Sequence, residues 1–284
     1  LRRWHLPVKI VTDSTADLPA EMVQQLDITV VPLTVVFGDR AYKEGVDIDH
    51  DTFYRLLQES RVLPTTSAPS VGELLQAYER VLADSDEVVC IHLSSKLSAT
   101  YSNACRAAEA LRERGARIEV VDSLNVSMGM GFIVLAAARA AQGGASMEQV
   151  VAIARHCAGR VRLYFVLDTL EYLRRGGRIG RARAFLGSLL HVKPILSLRE
   201  GEVHPEGRVR TRQQAQARLL QLALATPRIR EAAVGYTTDR EEAEAMLERL
   251  RPMLPHLQPY LVRIGPVVGT HAGPGLLGVG TLEG

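Results

Sequence analysis

The sequence predicts an α/β fold in which a largely parallel sheet, with helices on both faces, is followed by a second α/β region with a mixed sheet. In the first half of the 284 residues, short runs rich in Val and Ile alternate with segments of helical periodicity, the pattern of βαβ units. In the second half, strand-like runs also follow one another across a turn at Glu200 and Gly201. We therefore predict two domains, residues 1–159 and residues 160–284.

The elements of the first domain are predicted from periodicity and from residues that begin or end helices. Pro19 lies in the first turn of the first helix, Ser70 and Glu73 have the spacing of a capping box, and Gly115 ends a later helix. The predicted strands are VKIVTDS, ITVVPLTVVFG, EVVCIHL and RIEVVDS. The predicted helices are DLPAEMVQQLD, HDTFYRLLQES, VGELLQAYERVLAD, ATYSNACRAAEALRERG, GFIVLAAARAAQ and SMEQVVAIARHCA.

The second domain is predicted to begin with the strand LYFVLD and to continue into a glycine- and arginine-rich loop, LEYLRRGGRIGRAR. Two strands joined by a turn follow in KPILSLREGEVHPEGRVRT. The segments AQARLLQLALA and EEAEAMLERLRPM are predicted helices, and AAVGYTT is a predicted strand. The run LVRIGPVVGTHAGPGLLGVGTL is predicted to form extended segments.

The composition argues against several classes of protein. A net charge of +2 and an aromatic content of 5% do not suit nucleic-acid binding. The longest apolar stretch, residues 132–138, is far shorter than the ~20 residues of a membrane span, and LRRWHLP lacks the apolar core of a signal peptide. The cysteines Cys90, Cys105 and Cys157 lack metal-ligand spacing and are expected to be small buried side chains in a reducing compartment. We therefore expect a soluble, cytoplasmic protein with no metal and no transmembrane segment.

Two hydroxyl-rich segments are candidates for binding an anion. Residues 64–70 (PTTSAPS) precede a helix, whose unpaired N-terminal amides favour negative charge, and residues 92–104 (HLSSKLSATYSNA) join a strand to a helix at the carboxyl edge of the sheet. The hydroxyl groups belong to Thr65, Thr66, Ser67 and Ser70 in the first segment, and to Ser94, Ser95 and Ser98 in the second. Ordinary helix capping would use one serine in each segment and leave the other hydroxyls without a role.

Asp13 and Ser14, in residues 12–19 (TDSTADLP), have two interpretations. They could form a nucleophilic site, or Asp13 could form a turn that positions the loop. An Asp-Ser pair recurs at a later strand end, in residues 121–131 (VDSLNVSMGMG), which indicates shared architecture more than shared catalysis. We favour the structural turn.

Arginines and glycines mark two further segments. The first is LEYLRRGGRIGRAR, whose arginines are Arg174, Arg175, Arg178, Arg181 and Arg183. It could bind a phosphate, a membrane surface or a protein partner, or it could simply be a solvated basic loop. In the second, the spacing of Gly273, Gly275 and Gly278 matches a dinucleotide fingerprint, but the helix that this motif requires is not predicted after it. Its glycines would instead let backbone approach a ligand, and His271 could donate a hydrogen bond to an anion.

Taken together, these segments resemble the DegV family. They occur in the family's order, from about Lys9 to Gly280: TDSTADLP, PTTSAPS, SSKLSATY, VDS followed by SMGMG, LEYLRRGGRIG, KPIL and GPVVGTHAGPG. The resemblance implies a two-domain DegV-like fold over about residues 8–281, with a Rossmann-like first domain. It also implies a long-chain fatty acid, such as palmitate, buried between or within the domains.

The resemblance also implies which residues bind the ligand. Thr66, Ser98 and His271 would hold the fatty-acid carboxylate, and the expected supporting residues are Thr65, Ser95, Gly269 and Thr270. Arg174, Arg175 and Arg178 would contact a partner or a phosphate. Ala99 departs from the pattern because family members usually have glycine there; its extra methyl could narrow the mouth of the site without removing a hydrogen-bonding group.

The implied function is that of a carrier and not of an enzyme. Proteins of this kind present a bound fatty acid to a separate fatty acid kinase, which makes an acyl phosphate for phospholipid synthesis. The chain itself would need no cofactor and would be a monomer. Two alternatives remain at this point: an enzyme acting on a phosphorylated or acylated small molecule through Asp13, Ser14 and the arginines, and a regulatory or structural binding protein without lipid. The chain lacks the P-loop, GxSxG and HExxH signatures.

Overall fold

Strands and helices alternate along the chain, and the strands assemble into three sheets. The computed structural model describes residues 8–60, 62–187 and 192–284. Its strands are β1 Lys9–Asp13, β2 Ile28–Val31, β3 Thr34–Phe37, β4 Arg40–Lys43, β5 Thr65–Ser67, β6 Glu87–His92, β7 Arg117–Asp122, β8 Val161–Val166, β9 Lys193–Arg199, β10 Glu202–Val209, β11 Ile229–Tyr236, β12 Tyr260–Arg263 and β13 Leu277–Glu283. Its α-helices are α1 Ala20–Gln25, α2 His50–Glu59, α3 Val71–Leu82, α4 Thr100–Arg112, α5 Met128–Gln142, α6 Met147–Ala158, α7 Glu171–Arg175, α8 Arg212–Leu224, α9 Arg240–Leu250 and α10 Pro266–Ala272.

Four strands form a parallel sheet in the order β2-β1-β6-β7. Successive side chains of a strand point to opposite faces of a sheet. In β6, Val88 and Cys90 therefore pack in one apolar cluster with α3 and α4, whereas Val89 and Ile91 pack in another with α5 and α6. Helices cover both faces, and the predicted parallel sheet is confirmed.

Six strands form a mixed sheet in the order β10-β9-β8-β13-β11-β12. The β11–β12 pair is parallel, and the other neighbouring pairs are antiparallel. Glu200 and Gly201 both have positive φ, as a type I′ turn between antiparallel strands requires. The mixed sheet and this turn agree with the predictions from the sequence.

A third, antiparallel sheet, β4-β3-β5, corrects two predictions. The run ITVVPLTVVFG is not one strand: β2 belongs to the parallel sheet and β3 to the small sheet. Pro32, which has no N–H for a ladder, separates them, and the next amide, Leu33 N, donates to Ser14 Oγ at 3.0 Å. The segment PTTSAPS is not only a loop, because it contains β5, where Thr66 pairs with Val35.

Two segments in the second half of the chain contain helices that were not predicted. LEYLRRGGRIGRAR contains α7 and the first four residues of a 3₁₀ helix, Gly180–Phe185, and is not a continuous loop. The glycine-rich run after β12 contains α10, with Pro266 at its first position and Gly273 at φ 75° just after its end. The prediction of extended backbone around His271 was therefore wrong, because the local glycine content hid a helix that tertiary packing stabilises.

The largest apolar cluster draws residues from both sides of residue 159, including Ile91 from β6 and Leu196 from β9. The division into domains 1–159 and 160–284 stays a prediction, and α6 ends one residue before it, at Ala158. Among the described helices, none has the length and apolar character needed to cross a membrane.

Candidate ligand-binding cavity

A cavity of about 210 Å³ opens at the carboxyl edge of the parallel sheet. Its wall is formed by the segments that follow β1, β6 and β7, by β5 and α10, and by strands of the mixed sheet. Most of the wall is apolar and includes Leu93, Val126, Met128, Leu163, Phe165 and Leu276. Its polar side chains are those of Thr15, Thr66, Ser67, Ser98, Ser127, Arg178 and His271. This position agrees with the general location of ligands in α/β sheets.

Residues from four distant segments meet in the polar part of this wall. Thr66 Oγ1 and His271 Nε2 are 2.8 Å apart, within hydrogen-bond distance. Arg178 lies near this pair, since its charge acts on the His271 imidazole, and its Nε donates to Leu97 O at 3.0 Å, one residue before Ser98. Thr66, Ser98 and His271, predicted as one site, therefore line one cavity.

His271 lies in the last turn of α10 and is a neutral side chain at pH 7. Burial, together with the nearby positive charge of Arg178, lowers the pKa of His271 to about 4. A Cβ at Gly176 would overlap His271 Nδ1, so the glycine lets the backbone after α7 lie against the imidazole. The Nδ1 atom is buried and has no hydrogen-bond partner among the described residues. A neutral imidazole offers one donor and one acceptor, and one of its nitrogens thus remains to be satisfied.

Ser98 lies two residues before α4 and is not its N-cap, which is Ala99 and makes no side-chain capping bond. Its Oγ accepts a hydrogen bond from Thr100 N at 3.2 Å and lies 2.9 Å from Thr100 Oγ1. The same half-buried side chain lines the cavity. Ala99, the departure from the family pattern, also lines the cavity, where its methyl adds to the wall beside Ser98.

The three arginines predicted to contact a partner or phosphate separate into two groups. Arg178 lines the cavity, and its Nη1 donates to Gly176 O at 2.6 Å. Arg174 and Arg175 are exposed on α7, where both contact Glu171. The structure thus places one positive charge at the cavity and two on the neighbouring surface.

The four residues predicted as supporting lie outside the cavity wall. Thr65 and Ser95 are exposed, and Ser95 N donates to Asp122 Oδ1 at 3.2 Å. Thr270 Oγ1 donates to Pro266 O at 2.9 Å within α10, and a Cβ at Gly269 would lie 2.8 Å from a ring atom of Phe53. Gly269 therefore permits close packing of α10 on α2, which helps to fix the position of His271.

Asp13 belongs to a buried network and not to the cavity wall. Its Oδ1 accepts from Thr15 N and Oγ1 at 3.1 and 2.5 Å, and its Oδ2 accepts from Leu93 N at 3.0 Å. Oδ2 also lies 2.9 Å from His92 Nδ1, and His92 Nε2 lies 2.8 Å from Tyr78 Oη. The carboxylate and the imidazole are fully buried. This geometry favours the structural turn over a nucleophilic site.

Two carboxyl groups that sequence reasoning missed hold the start of α10. Asp17 Oδ1 accepts from Gly265 N at 2.9 Å, and Glu44 Oε1 accepts from Val267 N at 2.8 Å. Burial raises the pKa of Glu44 to about 7, and burial together with the Glu44 charge raises the pKa of Asp17 well above its ordinary value. No local signal marks Glu44 in the sequence, because the α10 amide that it holds, Val267 N, lies 223 positions away in the chain.

The fold and the cavity define an α/β protein built around a mostly apolar space with one polar region, which suits a small amphiphilic molecule. In the described part of the chain, no group of three or more His, Cys, Asp or Glu side chains could hold a metal ion. The chain belongs to the DegV family: the family described as "Uncharacterised protein, DegV family" matches residues 7–284.

Relatives in this family are similar over almost their whole length. A DegV domain-containing protein of Streptomyces coelicolor is 43% identical over 276 residues, which cover 96% of this chain and 97% of the relative. A DegV family protein from Thermus thermophilus, described as binding fatty acid, has 34% identity and a TM-score of 0.89, with 98% and 100% of the two chains covered. A stearic acid-binding protein from Eubacterium ventriosum has 29% identity and a TM-score of 0.89, with 97% and 98% covered.

Proposed function

We propose that this chain binds one long-chain fatty acid, with its carboxylate at Thr66, Ser98 and His271 and its acyl chain along the apolar wall. One observation carries the proposal: a single cavity combines a mostly apolar wall with the hydroxyls of Thr66 and Ser98, a neutral histidine and one arginine. The similar proteins described as binding fatty acid and stearic acid support the same ligand class.

The physical chemistry of the wall suits both parts of such a ligand. Each buried methylene contributes about 0.8 kcal/mol, so a ~16-carbon chain gains roughly 10 kcal/mol before ordering costs. A carboxylate loses several kcal/mol on leaving water unless hydrogen bonds replace its hydration. The hydroxyls of Thr66 and Ser98, the His271 imidazole and the Arg178 charge can supply that replacement.

Mass spectrometry of an organic extract tests the ligand class directly. Purified protein is denatured and extracted, and fatty acids are quantified against the protein concentration. We expect about one long-chain fatty acid per chain, or, for protein stripped of lipid, stoichiometric uptake of added palmitate. Protein that neither retains nor takes up a fatty acid contradicts the proposal.

We further propose that the protein is a cytoplasmic monomer that presents the bound carboxylate to a separate fatty acid kinase, for use in phospholipid metabolism. The position of the polar region supports this. His271 lies against the backbone at Gly176, at the end of the same short helix that exposes Arg174 and Arg175. A partner that approaches the carboxylate from this side meets two exposed positive charges, which favour contact with an acidic surface or with a developing phosphate. Light scattering of purified protein checks the monomeric state.

Reversing the charge of Arg174 and Arg175 together is expected to lower acyl-phosphate formation by the kinase about tenfold or more, while fatty-acid affinity stays within about twofold. Both side chains are exposed and lie outside the cavity wall. Kinase turnover and palmitate binding are measured on the same preparations. Arg240→Glu is a matched control, because Arg240 is also exposed and pairs with a glutamate on its own helix at 2.8 Å. An equal loss of binding and turnover in the Arg174/Arg175 variant would show that α7 helps to build the cavity instead.

The protein alone is expected to form no acyl phosphate from ATP, magnesium and fatty acid. The sequence has no P-loop. Asp13, which the enzyme alternative would use, is fully buried and accepts a hydrogen bond from Leu93 N. Hydroxamate trapping of acyl phosphate, with and without the kinase, measures this. Turnover by the highly purified chain that persists across separate preparations would overturn the carrier assignment.

A further inference from the structure

Met128 lies where the cavity meets the mixed sheet. It is the first residue of α5, its side chain is only 2% exposed, and it lines the cavity. Methionine is unbranched and has three rotatable side-chain bonds, so it can change shape at low cost. The carboxylate site assigned above does not use it.

The surface under the Met128 side chain is made of glycine. A Cβ at Gly235 in β11 would overlap Met128 Cε, and a Cβ at Gly280 in β13 would lie 2.9 Å from both Cγ and Sδ. A Cβ at Gly278 would lie 3.8 Å from Cε, and Gly278 itself lines the cavity. The thioether therefore occupies a groove that depends on the absence of side chains at Gly235 and Gly280, and it passes Gly278 at van der Waals distance.

The backbone before Met128 is held in place by the hydrogen bonds of Ser127. Ser127 has φ 54° and ψ −141°, a conformation that is unfavourable for a residue with a side chain. Its N–H donates to Thr15 O at 2.7 Å and its hydroxyl donates to Asp17 Oδ2 at 2.5 Å, which stabilises that conformation. The side chain of Met128 is thus directed at the glycine groove from a fixed point.

The groove extends the cavity along β13. Leu276 and Gly278 line the cavity, and Gly280, on the same face, lies four residues beyond Leu276, or about 13 Å along the strand. This direction leads away from the turn at Gly273 and Gly275 that follows His271. The Met128 side chain therefore lies between the cavity and Gly280.

We propose that Met128 determines the acyl-chain length that the cavity accepts, by filling or vacating the groove over Gly235, Gly278 and Gly280. This inference rests on the fatty-acid binding proposed above. With the thioether in the groove, the cavity ends at Met128; with the thioether displaced or shortened, the last methylenes of a longer chain take its place. The methyl end of an acyl chain can pack against the glycine backbone of this groove without any polar group on the ligand.

Truncation of Met128 tests the inference with a series of saturated fatty acids from lauric to behenic acid. Met128→Ala removes three heavy atoms and is expected to move the preferred chain length up by about two to three carbons. Two fatty acids are compared: the one that wild type binds best, and one that is two methylenes longer. The affinity for the longer acid divided by the affinity for the shorter one is expected to be about tenfold higher in Met128→Ala than in wild type. Met246→Ala is the matched control, because Met246 is fully buried in another apolar cluster and does not line the cavity.

A second pair of variants keeps the test decisive if Met128→Ala folds poorly. Met128→Val retains part of the volume and is expected to give a smaller shift in the same direction. Gly280→Ala fills part of the groove with a methyl group and pushes the thioether into the cavity, so the preference is expected to shift to shorter chains. Adding Met128→Val to Gly280→Ala is expected to restore longer ones.

The outcomes separate this inference from the proposed function. Wild-type protein that binds no member of the series contradicts fatty-acid binding itself. Wild-type protein that binds fatty acid, with the same length profile in the folded Met128 and Gly280 variants, overturns the role of Met128 alone.

Discussion

Thr66→Val is expected to weaken palmitate binding about ten- to a hundredfold, with little change in stability. The substitution keeps the shape of the side chain and suits the strand β5, but it removes the hydroxyl that lies 2.8 Å from His271 Nε2 at the cavity wall. A hydrogen bond to a charged group contributes roughly 1.5–3 kcal/mol, which corresponds to that loss of affinity. Isothermal titration calorimetry of lipid-free protein measures it.

The neighbouring residue supplies the control. Thr65→Val makes the same chemical change on the same strand, but Thr65 is exposed and outside the cavity wall, so palmitate affinity is expected to stay within about twofold.

Ser98→Ala is expected to weaken palmitate binding as Thr66→Val does. The double variant Thr66→Val/Ser98→Ala should show coupling, because both hydroxyls would contact one carboxylate. The methyl ester of palmitate should bind wild type weakly and lose little more in the variants. Unchanged affinity in both single variants would mean that the carboxylate lies elsewhere.

Asp13→Ala is expected to lower the free energy of unfolding by about 3–5 kcal/mol, a large part of the ~5–15 kcal/mol that stabilises a typical domain. The loss is large because the substitution leaves several buried polar groups without a hydrogen-bond partner. Asp13 accepts hydrogen bonds from Thr15 and Leu93 and contacts the His92 ring, and all of these groups are buried. Guanidinium denaturation followed by circular dichroism measures the loss.

Ser14→Ala separates the structural role of this segment from a catalytic one. Ser14 Oγ accepts a hydrogen bond from Leu33 N at 3.0 Å, so its loss is expected to cost only about 1 kcal/mol of stability. An Asp13→Ala protein as stable as wild type would contradict the structural turn. A stable Ser14→Ala protein that lost an intrinsic enzymatic activity of the wild type would favour the enzyme alternative.

The parts of the fold that sequence predicts well are those that local signals specify. The capping box of Ser70 and Glu73 begins α3, and the alternation in β6 places its side chains on two apolar faces, because both depend on near neighbours in the chain. The split between β2 and β3 was missed, although Pro32 marks it, since two β-rich runs joined by only two residues look like one strand. The helix α10 was missed because helix propensity is low in a glycine-rich segment and its N-terminal amides find partners in distant carboxyl groups.

The candidate site shows the same limit. Hydroxyl-rich loops and a histidine among glycines pointed to anion binding, but only the family resemblance selected Thr66, Ser98 and His271 from the many polar residues. Their proximity depends on contacts across the whole chain, as in the pair Thr66 and His271, which are 205 positions apart. Arg178 was expected to contact a partner or a phosphate, and its position in the cavity wall follows from tertiary packing that no spacing in the sequence reveals.

The central position of β13 in the mixed sheet has a consequence for how the protein is made. This strand joins β8 to β11, yet it is synthesised after both, and α10 with His271 is made immediately before it. On the ribosome, β8 and β11 therefore wait with unpaired edges, a state that exposes strands to aggregation. Pairing of β13 with β8 closes a loop of more than a hundred residues, which makes this a slow step of folding. A nascent chain that lacks β13 also lacks Gly278, so the wall of the cavity is complete only after β13 has paired with β8 and β11.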